Sequence, residues 1–204
     1  MSKSGRFIVF EGVDHSGKTT QLDLAHKWLL RRGHDVLRLR EPGGTKTGER
    51  VRAVLLDRDL EIVPRCEMLL FMAARVQVLE EMVLPALKLG KTVLMDRYWY
   101  STAAYQGHAA GLGFELVRAQ ASLLELQEPD TVIYLDGDPE RLAARHHGAF
   151  DRIEAKGIEY QRKVRSGFEA IARLFPRMFR TVSAEGTPEG IHGHVTRILE
   201  AEGF

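Results

Sequence analysis

The sequence predicts a three-layer α/β fold, a five-stranded parallel sheet flanked by helices. First, short apolar, β-branched runs alternate along the chain with longer segments of helical period, the pattern of strand–helix–strand units. Second, the strand runs are almost wholly apolar, as in Thr92-Val93-Leu94-Met95, which is expected when helices cover both sheet faces. Third, 204 residues with 44% hydrophobic and 28% charged content suit one domain with a substantial core.

Taken in order, the first strand is read at 6–12, around Phe7-Ile8-Val9-Phe10, and a helix at about 18–32 follows a glycine-rich turn. A second strand at 35–40 precedes a helix at 47–57. The longest helix is placed at 64–89, with Pro64 at its start and Gly90 just past its end, as terminus preferences predict; Pro85 should bend it. Its apolar residues exceed one stripe, which fits either a central core helix or a helix with a second face packed on another subunit. The third strand at 92–96 leads to helices at 99–107 and 113–127, and the fourth at 130–135 to helices at 138–146 and 153–175. A fifth strand at about 179–183 and a helix at 187–201 complete the pattern.

Composition narrows the function. A net charge of +1, from 29 basic against 28 acidic side chains, gives no overall reason for nucleic-acid or membrane binding, so an anion site must be local. Cys66 is the single cysteine and has no internal disulfide partner, which fits a reducing compartment. The segment Met1 to Gly5 is short and polar, and no apolar run is long enough to span a bilayer, so a cytoplasmic location is expected.

The strongest motif is Gly12-Val13-Asp14-His15-Ser16-Gly17-Lys18-Thr19, which satisfies G-x-x-x-x-G-K-[ST] between a strand and an amphipathic helix. Glycines let the chain curl until backbone N–H groups face phosphate oxygens, the following helix adds its positive end, and Lys18 adds a mobile cation. With Thr20 beside it, this stretch is the predicted ATP site. Thr19 is placed to hold Mg²⁺ through its hydroxyl, and Asp96, ending the third strand, supplies a carboxylate for the metal where open parallel sheets bind ligands. A strand-terminal Asp can also cap the next helix.

A phosphate acceptor needs cations to hold it, whereas a hydroxyl acceptor profits from a carboxylate base. The chain offers Arg40 after the second strand, Arg97 after Asp96, and Arg75 on the long helix. Arginine's planar fork suits bidentate recognition of phosphate or a base edge.

The glycine-rich loop with Asp14 inside it, the run Arg40-Glu41-Pro42-Gly43-Gly44-Thr45, the pair Phe71 and Arg75, the triplet Asp96-Arg97-Tyr98, and Ala104-Tyr105-Gln106-Gly107 together resemble the thymidylate kinase family along nearly the whole chain. The resemblance implies a P-loop nucleoside monophosphate kinase that transfers the terminal phosphoryl of ATP to dTMP, giving dTDP, with Mg²⁺. It implies that Phe71 stacks on thymine while Arg75 binds its carbonyl edge, that Asp14 receives the sugar 3′-hydroxyl, and that Arg97 binds the 5′-phosphate with Arg40 nearby. Tyr105 would exclude ribose, and Thr102 and Gln106 would read the base. It also implies a homodimer through the long helix.

A cover over the site is expected at about 141–152, where Arg141, Arg145, His146, His147, Gly148 and Arg152 cluster. His15 departs from the family, which has Arg or Gly there. Arg145 or Arg152 is therefore expected to act at the transition state, alongside Lys18 and Arg97. Ser183 stands where the family commonly shows Asp, near the adenine end. Two other readings stay open from residues alone. A deoxynucleoside kinase would use Glu41 as base toward a 5′-hydroxyl, and a noncatalytic nucleotide-binding protein would bind ATP without turnover.

Overall fold

The computed structural model describes residues 5–145 and 148–204; His146 and His147 of the expected cover lie outside the described residues. Five parallel strands form one sheet: β1 (Arg6–Glu11), β2 (Val36–Arg40), β3 (Thr92–Asp96), β4 (Thr131–Asp136) and β5 (Phe179–Ser183), in the order β2-β3-β1-β4-β5. The expected strands are all present, with ends within a residue of those read from the sequence. Phe7 to Phe10, Val93 to Met95 and Val132 to Leu135 are essentially inaccessible, because helices cover both faces and every side chain of these strands enters the core.

On one side α1 (Lys18–Arg31) packs with α9 (Pro188–Ala201). Another packed group contains α3 (Pro64–Val78), α5 (Trp99–Thr102), the π-helical turn Ala103–Ala109, α6 (Phe114–Leu123) and α8 (Ile158–Leu174), with α2 (Lys46–Leu56) against α3. A short α7 (Pro139–Ala143) follows β4. Several helix starts follow from local chemistry. Thr45 accepts the Gly48 N–H at 2.9 Å at the head of α2, and Thr187 accepts the Gly190 N–H at 3.2 Å at that of α9. Pro64, Pro139 and Pro188 sit in first turns, where their missing N–H costs nothing.

Three expected helices differ in detail. The long helix is continuous as α3, a π-helical turn at Leu79–Val83, and α4 (Leu84–Lys88). The wide turn falls just before Pro85, whose ring nitrogen has no proton to give the preceding turn. The expected helix 99–107 becomes α5 and then the π turn Ala103–Ala109. The expected helix 153–175 is divided at Gly157 (φ 83°), a left-handed position, into a 3₁₀ turn Glu154–Lys156 and α8.

One close approach matters for the site. A Cβ on Gly167 of α8 would lie 2.9 Å from the Cβ of His108 and 3.1 Å from the Cα of Ala104. Glycine thus lets α8 lie directly on the π turn that carries Tyr105 and Gln106.

Candidate active site

The loop Gly12–Gly17 runs from the carboxyl end of β1 into α1. Gly12 has φ 151°, and a Cβ there would meet the Leu135 carbonyl oxygen at 2.6 Å, so the tight curl requires glycine. α1 starts from Gly17 (φ 85°) without a side-chain cap, which leaves its first N–H groups available to an anion. Lys18 folds back over the loop, its Nζ donating to the Val13 carbonyl at 2.7 Å and to Ser16 Oγ at 3.3 Å. Burial, aided by the nearby Arg97 cation, pushes its ammonium down to about 8 despite Asp96, Asp14 and Glu11. Adjacent strands bring the metal candidates together: Thr19 Oγ1 donates to Asp96 Oδ2 at 2.6 Å. These two hard oxygen donors fit Mg²⁺, which takes one or two protein oxygens and completes its shell with phosphate and water. No cluster of three or more His, Cys, Asp or Glu that could hold a metal alone occurs among the described residues.

Arg97 stands at the centre. Its backbone is left-handed (φ 71°), a conformation strained for a non-glycine residue and fixed by its N–H to the Phe10 carbonyl at 2.9 Å. One end of its guanidinium donates to the Gly12 carbonyl and to Ser101 Oγ, both at 3.1 Å, and the other pairs with Asp14. Burial alone would push Asp14 up, but Arg97 and Lys18 outweigh it and hold the carboxyl below the usual range. Gln161 of α8 donates to the other Asp14 oxygen at 2.6 Å, and Arg97 lies over the Tyr105 ring at 5.2 Å.

The surrounding cavity, about 700 Å³, opens over the carboxyl ends of β1, β2 and β3. Phe71, Arg75, Thr102, Tyr105 and Gln106 line it together with Lys18, Thr19, Asp96, Arg97 and Arg40. Arg75 is buried and preset: its Nε donates to Glu41 Oε2 at 2.6 Å and its Nη1 to Thr102 Oγ1 at 3.1 Å. Burial raises the Glu41 carboxyl, and Arg75 opposes that rise. Arg40 is more than half exposed and reaches Glu49 of α2 at 3.3 Å.

The expected cover arginines are placed differently. Arg145 donates to the Ala184 carbonyl at 2.9 Å, beside Ser183 at the end of β5. Arg152 donates to the Leu55 carbonyl at 2.8 Å and lies 2.6 Å from Glu67 Oε2. Neither lines the cavity, whereas Asp151, Ile153 and Glu154 do. Asp151 accepts the N–H of Glu154 at 2.9 Å and Glu154 accepts that of Asp151 at 2.9 Å, a reciprocal capping box. Glu154 also lies 3.4 Å from His15 Nε2, so this segment touches the tip of the loop.

Sequence reasoning missed several groups. Glu11, fully buried at the end of β1, accepts the N–H groups of Tyr98 (2.8 Å) and Ser101 (3.1 Å) and the Ser101 hydroxyl (2.5 Å). Burial pushes its carboxyl up to about 7, against the Ser101 bond and the Arg97 charge. A glutamate closing an apolar strand was the visible signal, as was the D-x-x-E spacing for the capping box. Gln161, Glu67, and Arg52, which lines the cavity and donates to the Pro42 carbonyl at 3.1 Å, left no such sign.

A sheet-end glycine loop with its lysine, a Thr/Asp pair beside it, and an arginine-lined acceptor cavity define a P-loop phosphotransferase acting on a phosphorylated acceptor. The Thymidylate kinase family model matches residues 10–195. The chain is 41% identical over 198 residues to the thymidylate kinase of Caldanaerobacter subterraneus subsp. tengcongensis, covering 96% of this chain and 95% of that one. It is 44% identical over 177 residues to that of Thermoanaerobacter sp., covering 86% and 87%. The crystal structure of thymidylate kinase from Ehrlichia chaffeensis superposes with a TM-score of 0.81 at 30% identity, covering 96% of this chain and 99% of that one. The chain belongs to the thymidylate kinase family.

Proposed function

We propose that this chain transfers the terminal phosphoryl group of ATP to dTMP, giving ADP and dTDP, by alignment and electrostatics without a covalent intermediate. The observation that carries the reading is that one continuous cavity joins the P-loop lysine to Arg97 and to the Phe71–Arg75 helix face. Family membership supplies the substrate class.

In this reading the uncapped start of α1 and the loop amides of residues 12–20 bind the ATP phosphates, and Lys18 leaves the Val13 carbonyl for the migrating charge. Thr19 and Asp96 would hold Mg²⁺, which supplies charge neutralisation on the donor phosphates when bound. Arg97, with Arg40 at the cavity mouth, fixes the acceptor phosphate. Asp14, held ionised, takes the 3′-hydroxyl, and Tyr105 closes the 2′ side. Phe71 stacks on the base while Arg75, Thr102 and Gln106 meet its edge. Arg145 or Arg152 exchanges its present partner for a phosphate oxygen at the transition state. His15 and Glu154 join the segment around Arg152 to the loop. We place the enzyme in the cytoplasm as a homodimer through α3, whose Leu69 is 55% exposed.

The deciding experiment is ADP release with Mg·ATP and dTMP, dUMP, thymidine or no acceptor. Strong dependence on dTMP is expected. Turnover with thymidine would instead make Glu41 a base, and ATP binding without acceptor-dependent turnover would leave only nucleotide binding. In the same assay Arg145→Ala or Arg152→Ala should lower kcat by about 10³-fold, as loss of a transition-state arginine does.

A further inference from the structure

Glu67, Phe71 and Arg75 follow one another at four-residue intervals on α3 and so share one helix face. Glu67 is fully buried, an uncommon place for a carboxylate unless it is paired. Its Oε1 accepts Gln106 Nε2 at 2.7 Å and Lys156 Nζ at 2.8 Å. Its Oε2 accepts Lys156 Nζ at 3.1 Å and faces Arg152 Nη2 at 2.6 Å. Both Glu67 oxygens face cationic donors, so toward Gln106 it is the accepting partner. The Gln106 amide must therefore turn its nitrogen toward Glu67, which leaves Oε1 directed elsewhere. That oxygen is buried without a hydrogen-bond partner among the described residues, although Gln106 lines the cavity beside Arg75 and Thr102. An orphan buried acceptor is costly and calls for a donor from a ligand.

We propose that Glu67 is a positioning residue for base selection: it locks the Gln106 amide so that an acceptor faces the base edge, next to the donor Arg75. This rests on the dTMP reading above. A donor beside an acceptor matches the carbonyl and ring N–H of thymine. It opposes cytosine, which presents an amine and an unprotonated ring nitrogen in those places. Arg75 is fixed in the same manner by Glu41, so each member of the base-reading pair is oriented by a buried carboxylate. A pocket built this way discriminates through the unpaired groups a wrong base leaves behind.

The test compares kcat/KM for dTMP, dUMP and 5-methyl-dCMP in the wild type, Glu67→Gln, Gln106→Leu and the double variant. The 5-methyl-dCMP differs from dTMP at the base edge alone, whereas dUMP keeps that edge and lacks only the methyl. Glu67→Gln, free to offer either end of its amide, should lower the preference for dTMP over 5-methyl-dCMP about tenfold, the worth of one hydrogen bond. The preference for dTMP over dUMP should not move, and the double variant should show no further loss beyond Gln106→Leu. A uniform fall for all three acceptors, or an added loss in the double variant, would overturn the proposal. If Glu67→Gln does not fold, Gln106→Leu decides, since it leaves Glu67 with Lys156 and Arg152; an unmoved 5-methyl-dCMP preference then refutes it. Wild-type turnover of dTMP with unchanged selectivity in the variants sinks only this inference. No wild-type turnover of dTMP sinks the substrate reading beneath it.

Discussion

Lys18 and Arg97 are two cations held differently at one end of the sheet. Lys18 rests on the Val13 carbonyl and the Ser16 hydroxyl, while Arg97 is held between Gly12, Ser101 and Asp14. Lys18→Ala and Arg97→Ala should each cut kcat by about 10²-fold or more with the melting transition retained, read by coupled assay and circular dichroism. Near-wild-type turnover in either would remove its assigned role. Since the Lys18 ammonium is lowered to about 8, the charge needed for phosphate is lost above that pH in the free enzyme. The profile of kcat/KM for ATP should therefore fall on its alkaline side near pH 8 and lose that limb in Lys18→Arg. A profile level to pH 9.5 would count against it.

At the level of elements, the shape of the cavity depends on α8 resting on the π turn Ala103–Ala109. α8 brings Gln161 to Asp14 and Tyr160, whose hydroxyl donates to the Tyr105 carbonyl at 2.7 Å. On helix propensity alone Gly167→Ala would stabilise by about 1 kcal/mol. Here the new methyl would meet His108 Cβ at 2.9 Å and Ala104 Cα at 3.1 Å, so α8 must lift from the turn. Overpacking should win, costing about 1–3 kcal/mol and raising KM for dTMP more than KM for ATP. A rise in Tm would show that the two elements are free to separate.

Across the molecule, stability should depend on the buried carboxylate Glu11. Its folded value of about 7 lies above the ordinary 4.5, so between those values the folded chain holds a proton the unfolded chain has released. That contribution is complete below about pH 4.5 and is lost as pH rises through about 7. Glu41, also raised by burial, acts in the same direction. Asp14 and Asp136, both lowered, contribute oppositely and in more acid solution. Glu11→Gln can still accept from the Tyr98 and Ser101 N–H groups but does not titrate. The loss of Tm between pH 5 and pH 7.5 should therefore be smaller in this variant than in the wild type. Equal losses would place the pH dependence elsewhere.

The sequence by itself determined the sheet, because apolar runs buried on both faces carry a period that local composition exposes. It also determined the phosphate loop, where glycine, lysine and threonine must be contiguous to wrap an anion. The helix face joining Phe71 to Arg75 was legible for the same reason, since four residues make one turn. Only the tertiary structure decided how the carboxylates are used. Glu11 serves residues 87 and 90 positions away, Gln161 meets Asp14 across 147, and Glu67 gathers Gln106 from the π turn and Arg152 and Lys156 from the segment just before α8. The partners of Arg145 and Arg152 were illegible likewise, for a basic cluster beside glycine has the same composition whether its arginines face phosphate or a buried glutamate. Local spacing fixes what one turn or one loop can hold, whereas a buried charge finds its partner only when the packed chain excludes water from both.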